Sequence, residues 1–278
     1  MYISIDIGKS NTRVSSTLDL IEIHKIVKFS TDQQLEEQKK LIADAIYKVS
    51  DGKDVEAIAI GVPSLLDKVN KKFLRSANFP SLNGLEFNAL LPDILKQVYL
   101  YIENDASLGA LGEAYYGLGK EKTVVAYLTL SSGVGGSLVI KHPKGYDLIN
   151  AEPGHHIISE SDTLADKTGI LGTFESYCSG SLFEKRYGLK PEKNVDERVW
   201  LGYAKHLSTG VINTVAFWKP EVIILGGGMS IHNFELFYPL LMMELEKQTF
   251  FDIPEIKKTV LEDEAGVYGG FILLKENL

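Results

Sequence analysis

Apolar and β-branched positions gather in short runs separated by polar, glycine-bearing breaks. Residues 2–7 (YISIDI) are apolar and β-rich, Gly8-Lys9-Ser10-Asn11-Thr12 turns the chain, and residues 12–17 alternate again. This pattern predicts a strand, a polar turn and a returning strand. Within residues 33–50, Leu35, Leu41, Ile42, Ala45, Ile46 and Val49 fall near helical spacing and Gly52 follows as a stop, which predicts an amphipathic helix. Residues 56–64 predict a buried strand ending in a Gly/Pro turn, and residues 98–103 a further strand. Residues 105–117 predict a helix stopped by Gly117, and residues 123–131 a strand meeting Gly133, Gly135 and Gly136. Strands and helices alternating in this way predict a mixed α/β fold.

The pattern repeats itself. YISIDIGKSN at the N-terminus is echoed by YLTLSSGVGG around Ser131, and IAIGVPS (58–64) by IILGGGMS (223–230). Such self-similarity predicts a duplicated architecture. Gly133 and Gly226 lie much further apart than Gly8 and Gly61, so the second half carries an insertion, expected to include residues 143–187 or much of them. No low-complexity tract or Pro-rich linker interrupts the chain. Two tightly joined lobes are therefore expected, residues 1–117 and 118–278, with the boundary near Gly117-Leu118-Gly119 and a cleft between them.

Composition narrows the partners. A chain of 278 residues with 45% apolar and 24% charged residues is ordinary globular material. A formal net charge of -8 disfavours nucleic acid and anionic membrane, both of which attract basic surfaces. The single cysteine, Cys178, makes neither an intrachain disulfide nor a multi-thiolate zinc site and suits a reducing compartment. The start of the chain shows no signal segment, and no run approaches the ~18 apolar residues of a membrane span, so a cytoplasmic protein is expected.

Phosphate binding needs backbone N–H groups close to anionic oxygens, which favours glycine-rich strand-to-turn junctions. Three occur: Gly8 to Thr12, Ser131-Ser132-Gly133-Val134-Gly135-Gly136, and Gly226-Gly227-Gly228-Met229-Ser230. None matches the P-loop or the dinucleotide-binding fingerprint. Asp6, alone in an apolar strand, needs a partner, since a carboxylate facing a core is costly without one. Asp105 after Asn104 suits either a helix N-cap or a general base. Glu152 and Glu175 taken singly read as solvated acids. His155 and His156, if extended, face opposite sides.

In their order, the three junctions resemble the phosphate-one, phosphate-two and adenosine segments of the actin, hexokinase and chaperone-ATPase superfamily, with Asn104-Asp105 where its connecting acidic motif belongs. The resemblance narrows to the ROK (repressor, open reading frame, kinase) family, whose first motif is close to Asp6-Ile7-Gly8-Lys9-Ser10-Asn11-Thr12-Arg13, and it runs from Asp6 through Gly270. It implies a two-lobed actin-like (ribonuclease H-like) fold, with a duplicated mixed sheet, flanking helices, an active-site cleft and a last helix packing back on the first lobe. It further implies that Asn78, Asn104, Glu152, His155 of Glu152-Pro153-Gly154-His155, and Glu175 contact a sugar, and that Asp105 is the catalytic base. Gly8, Lys9, Ser10, Asn11, Thr12, Ser132, Gly133, Gly227 and Gly228 would bind ATP, and Asp6 would hold Mg²⁺ through water.

Two departures stand out. Many members carry a Cys-x-Cys-x₄-Cys zinc knuckle after E-x-G-H, whereas residues 157–174 contain no cysteine, so no structural zinc is expected. This leaves open what holds the Glu152 and Glu175 loops. Lys9 stands where the family usually has Gly, and Ser131-Ser132-Gly133 where Gly-Thr-Gly is common; Lys9 either reaches a phosphate or is an exposed turn lysine.

The expected activity is ATP-dependent phosphorylation of a hexose or N-acetylhexosamine at its primary hydroxyl, glucokinase-like, by a cytoplasmic homodimer whose partners are sugar and nucleotide. The chain begins on its first strand without a preceding helix-turn-helix, which disfavours DNA binding. The alternative from another class is a catalytically weak sugar sensor of the same fold. An actin-like or chaperone-like ATPase shares the turns but has no use for the sugar-contact set.

Overall fold

The computed structural model describes residues 1–76, 78–160, 163–247, 250 and 252–278. They form two compact units, Met1–Tyr115 with Glu264–Leu278, and Tyr116–Asp263.

The first unit opens with β1 (Tyr2–Ile7), β2 (Asn11–Thr17) and β3 (Lys25–Ser30), then α1 (Leu35–Ser50), β4 (Ala57–Val62), a β5–β6 hairpin (Leu65–Asp67, Lys72–Arg75), β7 (Tyr99–Asn104) and α2 (Asp105–Tyr115). Its five-stranded sheet has the order β3-β2-β1-β4-β7. β1 pairs antiparallel with β2 and parallel with β4. Ile3, Ile5 and Ile7 join the core that includes Ile42, Ile46 and Val49 of α1. The alternate positions, Ser4 and Asp6, face glycines of the C-terminal helix instead, as the period of two along a strand requires.

The second unit contains β8 (Val124–Leu130), β9 (Val134–His142), β10 (Gly145–Ala151), the short α3 (Phe174–Cys178), α4 (Gly180–Tyr187), α5 (Glu197–Trp218), β11 (Val222–Gly226), α6 (Gly228–Leu245) and β12 (Glu255–Lys258). Its sheet order is β10-β9-β8-β11-β12, which matches the first sheet strand for strand. β1 and β8 hold the central places, so the sequence echo reflects a repeated topology. α5 and α6 cover the sheet through Trp200, Tyr203, Leu207, Phe237 and Leu241. α7 (Ala265–Asn277) returns to the first unit and packs on α2, β1 and β4.

Several details differ from expectation. α1 starts at Leu35, two residues later than expected, and ends at Ser50 as expected, where Asp51 takes the left-handed conformation at φ 54° before Gly52 does so at φ 74°. α2 stops at Tyr115, short of Gly117. The insertion expected over residues 143–187 begins only after β10, because β10 is the counterpart of β3 in the repeated sheet. Among the described residues no helix is long and apolar enough to cross a membrane.

Candidate functional site

In the first unit, the central strand β1 delivers Asp6 to its C-terminal end, where the chain turns. Its carboxylate lies 3.5 Å from Arg13 Nη1 on the paired strand β2. It also lies over the first turn of α7, where a methyl group on Gly266 would come within 2.7 Å of its Cγ. A helix N-terminus favours such a negative charge. The following turn closes through Gly8 N–H donating to Asn11 O at 2.9 Å. Thr12 points inward: its hydroxyl lies 2.9 Å from Thr31 Oγ1 and accepts from Gln38 Nε2 at 2.8 Å, so it braces the turn from below. Lys9 and Ser10 are exposed on it, and Gly8 and Asn11 are half-buried.

β7 runs directly into α2. Asn104 caps that helix, its Oδ1 accepting from Ser107 N–H at 3.2 Å; Asp105, the first helical residue, is half-buried and leaves the capping to its neighbour. Glu103, 2% exposed, accepts from Asn104 N–H at 2.9 Å and pairs with Lys68. Sequence reasoning passed over Glu103 because a glutamate closing a strand gives no local sign of burial. Asn78 is half-buried in the loop after β6.

In the second unit, the Ser131–Gly133 turn is anchored from beneath. Ser131 N–H donates to Gly133 O at 2.8 Å, Gly180 N–H to Ser131 O at 2.7 Å, and Ser181 Oγ to Ser132 O at 2.5 Å. Thr173 caps α3 by accepting from Ser176 N–H at 3.1 Å, which sets Glu175 in the first turn. Glu175 is 5% exposed; its Oε2 accepts from Val134 N–H at 2.9 Å, and its Oε1 is buried with no hydrogen-bonding partner among the described residues. Gly133 has no side chain because one would meet Glu175 Oε2 at 2.6 Å and Lys167 Nζ at 2.9 Å. At the other glycine junction, Gly227 takes φ 80° before α6.

The Glu152–His155 segment is a 3₁₀ turn with Pro153 at its start, so the two histidines do not sit on an extended segment. Proline presets the φ of a first helical residue and so begins the turn. The two histidines still part company. His156 Nδ1 lies 2.5 Å from Pro153 O with its ring against Phe174, and burial pushes its pKa down. His155, 30% exposed at its side chain, places Nδ1 2.9 Å from Asp166 Oδ2 and Nε2 4.0 Å from Glu152 Oε2. The concave surroundings of Glu152 push its carboxyl up by desolvation although 44% of the side chain touches solvent; His155 opposes this and the Glu175 charge adds to it. α3 packs against the Pro153–His155 turn, which gathers Glu152, His155, Glu175 and the Ser132–Gly133 turn in one unit. Among the described residues no group of three or more His, Cys, Asp and Glu side chains is arranged to hold a metal.

The sequence profile of the ROK family matches residues 2–277. The chain belongs to the ROK family. This ROK-family chain is 27% identical to the glucokinase of Thermotoga maritima over 99% of its length and 98% of the relative's. It is 26% identical to the N-acetyl-D-glucosamine kinase of Aliivibrio fischeri over 98% and 99% of the two chains. In fold it is similar to the ROK family glucokinase from Streptomyces griseus solved with glucose and AMPPNP, with a TM-score of 0.80, 22% identity and 98% of each chain covered. Glu152, His155 and Glu175 stand out in the sequence by their order along the chain, whereas Asp166 does not. Its signal was present in Asp166-Lys167-Thr168-Gly169, an aspartate followed two residues on by a threonine and then a glycine, the composition of an Asx turn.

Proposed function

We propose that this protein transfers the γ-phosphoryl group of ATP to the primary hydroxyl of a hexose or N-acetylhexosamine. The observation that carries this is Glu175 Oε1, a buried carboxylate oxygen with no donor among the described residues, in the unit that also holds Glu152, His155 and the Ser132–Gly133 turn. A buried acceptor left unmatched costs about 1–3 kcal/mol, which a ligand hydroxyl relieves. A ring of hydroxyls is what paired carboxylates and an imidazole receive well.

In the proposed step the hydroxyl oxygen attacks the γ-phosphorus, the bond from that phosphorus to the β-bridging oxygen breaks, ADP leaves, and the hydroxyl proton passes to Asp105. Asn78, Asn104, Glu152, His155 and Glu175 are the residues proposed to orient the sugar. The backbone of Gly8 to Asn11, Ser132-Gly133 and Gly227-Gly228 receives the nucleotide, with Thr12 as a brace and Lys9 exposed beside the turn. Asp6 suits Mg²⁺ as a hard oxygen donor at a turn; when bound, the ion neutralises charge developing on the phosphate oxygens.

The test is ADP release by purified protein with ATP and Mg²⁺ across a panel of hexoses and N-acetylhexosamines. Sugar-dependent turnover that falls by about 10²–10⁴-fold in Asp105→Asn is the expected result. Sugar binding without turnover for any sugar would move the assignment to a sugar sensor.

A further inference from the structure

Asp166 lies in a polar loop, yet its side chain is fully shielded from solvent. One carboxylate oxygen, Oδ1, accepts from Thr168 N–H at 2.8 Å, Thr168 Oγ1 at 2.6 Å and Ile170 N–H at 3.2 Å. The other, Oδ2, lies 2.9 Å from His155 Nδ1. The loop around it is closed by Asp166 N–H donating to Ile170 O at 2.9 Å, and Ile158 N–H and Phe174 N–H donate to Gly172 O and His156 O at 2.8 and 2.9 Å. These bonds tie the His155 turn to the start of α3, which carries Glu175. Burial works to raise the Asp166 carboxyl, but the Thr168 hydroxyl, His155 and the Thr168 and Ile170 N–H groups outweigh it and hold it at about 2. An ionised carboxylate only accepts, so His155 must donate from Nδ1.

Resting on the sugar-kinase function proposed above, we infer that Asp166 is a positioning residue that holds His155 as the Nδ1–H tautomer, so that Nε2 meets a sugar hydroxyl as an acceptor beside Glu152. A single buried carboxylate thereby anchors both the His155 turn and the loop leading to Glu175, in a stretch that has no cysteine. A ligating histidine oriented by a carboxylate on its other nitrogen is a recurrent device in sites of many kinds.

The experiment pairs two readouts on ¹⁵N-labelled full-length protein. Long-range ¹H–¹⁵N correlations report each histidine's tautomer, with His155 assigned by loss of its signals in His155→Gln; sugar KM and kcat are measured alongside. In the wild type, His155 is expected as Nδ1–H. Asp166→Asn keeps the side-chain size but turns a donor toward Nδ1; it is expected to shift His155 to Nε2–H and raise sugar KM about tenfold, the worth of one hydrogen bond, with kcat changing less. Thr168→Ala, which removes a bond to Asp166 without touching His155, is expected to keep the wild-type tautomer and KM. An Nε2–H tautomer in the wild type, an unchanged tautomer in Asp166→Asn, or a changed tautomer with unchanged KM overturns the inference. Should the wild type phosphorylate no sugar while His155 still changes tautomer in Asp166→Asn, the proposed function fails and the Asp166–His155 pairing stands; sugar binding by calorimetry then decides whether Nε2 serves as the acceptor.

Discussion

Asp166 and Glu152 show how neighbours within one loop cluster are driven in opposite directions. Asp166 is held at about 2 against an ordinary value of 3.8. A carboxyl depressed on folding contributes stability that is complete above its unfolded value and lost as pH falls through the folded one. This amounts to about 2 kcal/mol. Urea unfolding of wild type and Asp166→Asn is therefore expected to differ at neutral pH, with the gap closing as pH falls from 3.8 toward about 2. Glu152 is raised, chiefly by desolvation, with Glu175 adding to the shift and His155 opposing it. Glu152 gains its proton at higher pH than an ordinary glutamate and then loses acceptor capacity. Sugar KM is expected to rise as pH falls, starting above 4.5, and Glu152→Gln should flatten that limb of the KM–pH profile.

Among the elements, α7 illustrates how glycine sets an approach. A methyl on Gly269 would strike the backbone carbonyl of Leu108 in α2, and one on Gly112 would strike that of Ala265. On an exposed helix Gly→Ala stabilises by about 1 kcal/mol. Here the added carbon overpacks a backbone contact, so Gly112→Ala is expected to destabilise by about 1–3 kcal/mol in denaturant unfolding. The sign separates close packing from helix propensity. In the second unit α3 has only five residues and depends on its cap. Thr173→Ala is expected to cost about 1 kcal/mol and to weaken sugar binding through Glu175 more than it slows turnover.

For the whole molecule, the first unit is completed by the last residues of the chain: Val267, Phe271 and Leu274 of α7 are fully buried there. Deleting residues 264–278 is expected to abolish the cooperative unfolding of the first unit, followed by hydrogen exchange in β1 and β4, while β8 and β11 stay protected. The repeated sheet order β3-β2-β1-β4-β7 and β10-β9-β8-β11-β12 explains why a chain of this length builds two small cores instead of one.

What the sequence determined by itself is what depends on local pattern. β1, β4, β7, β8 and α1 follow from alternation and helical spacing, and the turns from glycine at strand ends. The family motifs brought Asp6, Asp105, Glu152, His155 and Glu175 into view because their order along the chain is specific. β3 escaped because Lys25–Ser30 alternates only between half-buried and exposed positions, a weak hydrophobic signal. Glu103 escaped because its partner Lys68 lies on a hairpin well before it, and Asp166 because its local turn composition shows neither its burial nor its pairing with His155 from a separate turn. Only the tertiary structure could decide which acid becomes a buried anchor and which stays at a rim. That depends on where donors converge, and no local pattern encodes it.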